Sequence, residues 1–351
     1  MKIAIVTDTH FGCRNDNQLF LDHQINFFKN VFIPTLEERN IDTVIHGGDL
    51  MDRRKYVNFN TLNTVRREII EPLMNCGVTM HVIVGNHDTY YKNTNDVNSI
   101  KELFDEKYEN FHLYEKPETV DFDGMEIAFL PWINTENKEE SLDFIKSTSA
   151  QWLIGHLELE GYEAMRGVAY SGGTDPKTFS RFEQVLSGHF HCRQERGNII
   201  YMGTPYQITF SDSGEAKGFW ILDTATREIE FIDNPECMFY SLSYDDEKND
   251  YTKFISDKHP HFKDKYVKLY VENKTNPYIL DRVVDTLYSS GVYNLTIVDD
   301  MGVENRDVEA ADATKSTLEI IMEEIDIRED IKNKDVVKGL VKEVYMETIT
   351  S

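Results

Sequence analysis

The chain has few features that would place it outside the ordinary soluble interior of a cell. Its four cysteines, Cys13, Cys76, Cys192 and Cys237, are scattered through 351 residues and form no C-x-x-C pair, which argues against a paired-thiolate zinc site and a disulfide framework. A reducing, cytoplasmic setting fits, and this would be the host cytoplasm if the chain is phage-encoded. No apolar run approaches the ~20 residues of a membrane span, and MKIAIVTDTHFG passes from one lysine through a short apolar run into polar residues, unlike a secretory signal. No membrane partner is expected. Positive charge is also scarce: 37 basic against 62 acidic residues give −25, which disfavours a basic nucleic-acid-binding surface. Any polyanionic substrate would need positive charge from bound cations or from a partner. There is no phosphate-binding P-loop and no G-x-G-x-x-G after a strand, so nucleotide binding is not indicated.

What is present is a repeated pattern. Five short apolar runs end in His, Asp, Asn or Gly: IAIVTDTH (3–10), TVIHGGD (43–49), MHVIVGNHD (80–88), WLIGH (152–156) and QVLSGHFH (184–191). Each reads as a strand with polar residues at its C-terminal end. Helical stretches at 21–39 and 61–75 alternate with the first three, which points to parallel pairing in an α/β fold whose site lies at the strands' carboxyl ends. Residues 111–132, with a turn at Asp123-Gly124, and 199–233 read as consecutive strands, which makes the sheet mixed. The character changes near Asn234-Pro235. Strands at 239–244, 266–271 and 292–298 with a helix at 277–289 predict a small α/β domain over 236–303.

An acidic stretch within 304–315 reads as a linker. In the remaining 316–351, Leu318, Ile321, Met322 and Ile325 follow helical spacing behind a Ser316/Glu319 capping box, and Val337, Leu340, Val341, Val344 and Tyr345 repeat that spacing. This amphipathic helix pair either packs on the second domain or docks another chain.

The polar strand ends carry the chemistry. A strand's period of two would put Asp8 with His10, and His189 with His191, on common faces. With Asp49, Asn86 and His156 they make seven N/O donors on five strand ends, more than one metal needs. Two divalent cations sharing a carboxylate fit better, at the ~3.5–4 Å spacing used for in-line displacement at phosphorus with a hydroxide nucleophile. Against two carboxylates they leave the pocket at about +2 despite the acidic surface. His87 is then free to neutralise charge or protonate the leaving oxygen, with Asp88 expected to orient it by accepting a hydrogen bond. His23, His46, His81, His112, His259 and His261 lack matching partners and read as surface or loop residues, with His46 supporting its strand. Cys192 faces away from His191 in this reading.

The ordered set D-x-H, G-D, G-N-H-D, G-H, G-H-x-H resembles the calcineurin-like metallophosphoesterase superfamily. Within it, GNHDTYYKNT (85–94), SGHFH (187–191), GTPYQITF (203–210) and GFWILD (218–223) are similar to the SbcD-like nucleases, including the recombination endonuclease subunits of tailed phages. The resemblance implies a four-layer sandwich over 1–235, two mixed sheets flanked by helices, with 236–303 as a capping, DNA-binding domain. It implies one metal on Asp8, His10, Asp49 and His191 and a second on Asp49, Asn86, His156 and His189. Asp49 bridges, His87 is catalytic, and manganese is preferred with magnesium possible. It further implies a homodimer through helices of the nuclease domain (61–75 with 97–104), and docking of 316–351 on an SbcC-like coiled-coil ATPase. Where some members carry a His three residues after the bridging Asp, this chain has Asp52, followed by Arg53 and Arg54; these arginines are either solvated or touch DNA phosphates. A phosphatase or small-molecule phosphodiesterase on the same fold, or a mainly structural subunit, are the alternatives.

Overall fold

The short β-branched runs of the N-terminal half form parallel strands: β1 (Lys2–Val6), β2 (Thr43–His46), β3 (Thr79–Ile83) and β4 (Phe111–Tyr114). A computed structural model of the chain describes residues 1–299 except 106 and 166, together with 334, 337 and 338. The expected linker at 304–315 lies outside the described residues, as does the helix pair at 316–351 apart from Lys334, Val337 and Lys338, which are helical. Two units divide the chain, Met1–Asp300 and Met301–Ser351.

Further along come β5 (Glu118–Phe122), β6 (Met125–Leu130), β7 (Trp152–His156), the short hairpin β8 (Glu163–Met165) and β9 (Val168–Ala169), β10 (Gln184–Gly188), β11 (Gln194–Arg196), β12 (Ile199–Tyr201), β13 (Gly218–Asp223) and β14 (Glu228–Asp233). They complete two six-stranded mixed sheets, ordered β14-β13-β1-β2-β3-β4 and β11-β12-β10-β7-β6-β5. Alternation along each strand decides which layer a residue joins. Ile3, Ile5, Ile45 and Ile83 of the first sheet meet Ile127, Phe129, Ile154 and Leu186 of the second in a shared apolar layer. Their neighbours Ala4, Val6, Val44 and Val82 face outward onto Phe27, Phe32, Leu36, Val65 and Ile69. On the far side Ala128, Leu130, Leu153 and Val185 pack on Ile145 of helix Lys138–Ser147. Helices and loops thus enclose two sheets in four layers, as the resemblance implies.

Residues 18–39 and 59–75 form the two long helical segments of the outer layer, each started by an asparagine whose side chain accepts backbone N–H groups, Asn17 and Asn58. Both contain a proline, Pro34 and Pro72, and both relax into a wider i→i−5 turn just before it, over Phe28–Phe32 and Arg66–Ile70. Proline cannot donate to the ladder, and the widened turn lets the helix run on.

After Asn234-Pro235, β15 (Phe239–Asp245), β16 (Tyr266–Asn273) and β17 (Asn294–Asp299) form a three-stranded parallel sheet. Val283 and Leu287 of helix Pro277–Ser289 pack on its Val267, Leu269 and Val271. Met238, Phe239 and Tyr266 belong to the same apolar cluster as Phe20. The Arg14 guanidinium lies 5.3–5.7 Å from the rings of Phe20, Phe239 and Tyr266, tying this sheet to the turn that follows the first strand end.

Candidate metal centre

Every strand-end motif reaches one place. Asp8 and His10 follow β1, Asp49 follows β2, Asn86 follows β3, His156 ends β7, and His189 and His191 follow β10. Both sheets contribute. The expectation of strand alternation for the D-x-H and H-x-H pairs needs correction, because these residues lie past the strands. Asp8 (φ 52°), His10 (φ 44°), Asp49 (φ 54°) and His189 (φ 89°) occupy the left-handed region. Asp, Asn and His tolerate that conformation better than most residues, and such strain gathers at functional sites. Amides of Asp8 and His10 donate to the carbonyls of Gly48 and Asp49, each at 3.0 Å, and this locks the first two loops together. Gly85 has no substitute here: a Cβ would overlap the backbone nitrogen and the carboxylate of Asp49.

Two groups of donors result, with Asp49 in both. Around the first, Asp8 Oδ1 lies 3.8 Å from His10 Nε2, which is 3.1 Å from His191 Nε2. Around the second, Asn86 Oδ1 lies 2.9 Å from His156 Nε2 and 2.8 Å from His189 Nδ1. Asp49 Oδ2 stands between them, 3.6 Å from His10 Nε2 and 3.4 Å from His156 Nε2. Ligand atoms of Asp8, His10 and His191, and likewise of Asp49, His156 and His189, all lie within 4.8 Å of one another; His10, Asp49 and His87 form a third such group. Carboxylate, amide and imidazole donors in this number suit two divalent cations. His156 also has its Nδ1 on the Gly47 carbonyl at 2.9 Å, which fixes the ring with Nε2 facing Asn86 and Asp49.

The carboxylates and imidazoles of the cluster shift one another's protonation. Burial of His10 opposes its charge, but Asp52, Asp49 and Asp8 outweigh it and raise the ring to about 9. Burial likewise opposes His156, and Asp49 raises it to about 10. His191 goes the other way, to about 4, through burial and the neighbouring His10. Burial also holds His189 well below its ordinary value, reinforced by His156.

His87 lies beside this cluster, its ring 4.8 Å from that of His10 and perpendicular to it. The hydrogen bond expected to orient it from Asp88 comes instead from the backbone, since His87 Nδ1 lies 2.6 Å from the Asp52 carbonyl oxygen. Asp88 is fully buried, and its carboxylate accepts four backbone amides, from Asp49, Gly85, Leu50 and Met51 at 2.8–3.1 Å. It braces the loops that carry Asp49 and Asn86. Asp52 was missed as a positioning residue; its carboxylate also lies 3.4 Å from His10 Nδ1. A backbone carbonyl has no sequence signature, and this one could not have been read in advance.

Three histidines expected at the surface are buried. His46 supports its strand as expected, with Nδ1 accepting from Gly48 N–H and Nε2 against Thr9 Oγ1. Burial lowers His23 and His46 to about 3 and His81 to about 4. Cys192 is buried outside the donor groups.

Comparison with known proteins agrees with the geometry. The family model described as calcineurin-like phosphoesterase matches residues 1–193. The chain is 41% identical over 234 residues to exonuclease subunit 1 of Enterobacteria phage T4, covering 67% of this chain and 68% of that protein. It is 23% identical over 259 residues to a nuclease SbcCD subunit of Staphylococcus epidermidis, covering 65% and 67%. With the DNA double-strand break repair protein Mre11 of Sulfurisphaera tokodaii it shares 26% over 217 residues, covering 58% and 54%.

Proposed function

The chain belongs to the calcineurin-like phosphoesterase family, and from that premise we propose that it is a manganese-dependent DNA nuclease, an exonuclease on duplex ends and an endonuclease on single strands or hairpins. The observation that carries the proposal is Asp49 Oδ2, set between His10 and His156 at 3.6 and 3.4 Å at the junction of two complete donor groups. Asp8, His10, Asp49 and His191 would hold one cation, and Asp49, Asn86, His156 and His189 the other. Bound there, the pair would supply Lewis acidity and a nucleophile at neutral pH. The protein's own part is positioning. His87, held through Nδ1, keeps Nε2 for the leaving oxygen, and Asp88 fixes the loop geometry on which Asp49 and Asn86 depend.

The named relatives are an exonuclease subunit, a nuclease subunit and a DNA double-strand break repair protein, which supports DNA as substrate and double-strand-break repair as the setting; recombination is part of the same proposal. An SbcC-like ATPase engaging residues 316–351, a homodimer through helices of 61–75 with 97–104, and a capping role for 236–303 complete the proposal. Among the described residues no helix is long and apolar enough to cross a membrane, and the proposed place of action is the cytoplasm, that of the host if the chain is phage-encoded.

The test is nucleotide release from end-labelled linear duplex DNA by the full chain, with manganese, magnesium or chelator, beside a small phosphomonoester. Release that chelator abolishes supports the proposal. Faster turnover of the phosphomonoester, or no DNA hydrolysis even with the ATPase added, overturns it.

A further inference from the structure

Arg53 and Arg54 follow one another in sequence, but the fold gives them different surroundings. Arg53 is spent within the protein: one nitrogen donates to Asp16 Oδ2 at 2.8 Å and another to Asn15 Oδ1 at 2.9 Å. Arg54 is half-buried and, among the described residues, has no carboxylate within ion-pair distance. Its guanidinium lies 5.2 Å from the centre of the Trp132 ring, and one nitrogen donates to Thr89 Oγ1 at 3.0 Å. Both supports lead to the second donor group. Thr89 Oγ1 donates to the carbonyl oxygen of Asn86 at 3.1 Å. The Trp132 indole donates at 3.0 Å to Glu158 Oε1, which lies 3.6 Å from His189 Nε2.

An arginine set over an aromatic ring and hydrogen-bonded at one nitrogen has its guanidinium confined, and its remaining N–H donors suit a phosphate's oxygens. Burial works against its charge, and the carboxylates of Asp49, Glu158 and Asp88 sustain it. In a chain of net charge −25, a cation kept beside the centre, with no carboxylate at ion-pair distance among the described residues, calls for an anionic ligand. We infer that Arg54 binds the nucleic-acid phosphate next to the scissile one, on the Asn86/His189 side, with Trp132 and Thr89 as its positioning residues. The inference rests on the nuclease reading and adds a substrate contact outside the metal ligands.

The experiment compares wild type, Arg54→Gln and Arg54→Lys with manganese on a single-stranded oligonucleotide across a salt series, and on bis(p-nitrophenyl) phosphate, a diester with no neighbouring phosphate. For Arg54→Gln the expected result is a KM for the oligonucleotide raised about tenfold, the scale of one hydrogen bond to a charged group. Its kcat stays near wild type, and the plot of log KM against log salt is shallower by about 0.7, one single-strand phosphate contact. Hydrolysis of the small diester falls far less than that of the oligonucleotide, and Arg54→Lys restores the salt slope while recovering only part of the KM. An unmoved slope, or equal losses on both substrates as a disturbed Asn86 would produce, overturns the assignment. Wild type hydrolysing the small diester but no oligonucleotide is a different failure: it removes the nuclease reading and the inference with it.

Discussion

Replacing Asp88 by asparagine separates a scaffolding role from a chemical one. The carboxylate is fully buried, with Oδ2 accepting from Asp49 and Gly85 (2.8 and 2.9 Å) and Oδ1 from Leu50 and Met51 (3.0 and 3.1 Å). Asparagine keeps one oxygen for two of these amides and turns an NH₂ group, itself a donor, toward the other two. Two buried N–H groups left without acceptors cost about 1–3 kcal/mol each, so Asp88→Asn should lose about 2–6 kcal/mol of stability. The damage falls on the loops bearing Asp49 and Asn86, and metal content should fall with it. Urea unfolding gives the first quantity, and elemental analysis of protein equilibrated with manganese gives the second. A variant with wild-type stability and metal content but no hydrolysis would refute this reasoning and return Asp88 to the chemistry.

Other consequences can be checked independently. Gly85→Ala drives a Cβ into Asp49, and diester hydrolysis should fall at least about 100-fold with the far-ultraviolet circular dichroism spectrum retained; near-normal activity would show that the close approach does not matter. Near pH 7.5 the cation-free centre holds protons on His10 and His156, raised to about 9 and about 10, so loading it should release about two protons and tighten as pH rises toward those values. Calorimetry in buffers of different ionisation enthalpy measures this, and heats independent of buffer would contradict it. His23 is held at about 3 by burial, with Lys265 adding to the effect, so as pH falls below the ordinary value of ~6.5 the unfolded chain takes up a proton that the folded one refuses. Its stabilisation is complete above that value and is lost toward pH 3. His23→Leu should flatten the dependence of unfolding free energy on pH between about 4 and 6 by roughly 1.4 kcal/mol per pH unit; an unchanged slope would show that His23 titrates normally.

The strand-end motifs were legible because a buried parallel strand must be apolar and β-branched, and the polar residues that stop it mark its carboxyl end. IAIVTDTH and QVLSGHFH therefore announced both their strands and their donors. Helix Pro277–Ser289 was legible to the residue, since Asn276 and Pro277 start it and Ser289, Ser290 and Gly291 end it. What spacing could not show was how Asp8 and His10 come to share a centre, because the left-handed backbone at both replaces the strand period. Nor could it show that His23, His46 and His81 are buried, since that depends on which layer covers them. Asp88 looked chemical from its place beside His87. Its role follows from four amides brought to it by the loops after β2 and β3, a tertiary fact with no local pattern.

The central claim is that Asp49 joins two cations in one phosphodiesterase centre, and its most direct test is to measure bound manganese and diester hydrolysis together in wild type and Asp49→Asn. The account predicts about two ions per chain and chelator-sensitive hydrolysis in wild type, with both metal content and hydrolysis sharply reduced in Asp49→Asn. A single ion per active wild-type chain, or an Asp49→Asn protein that hydrolyses the diester at the wild-type rate, would contradict it.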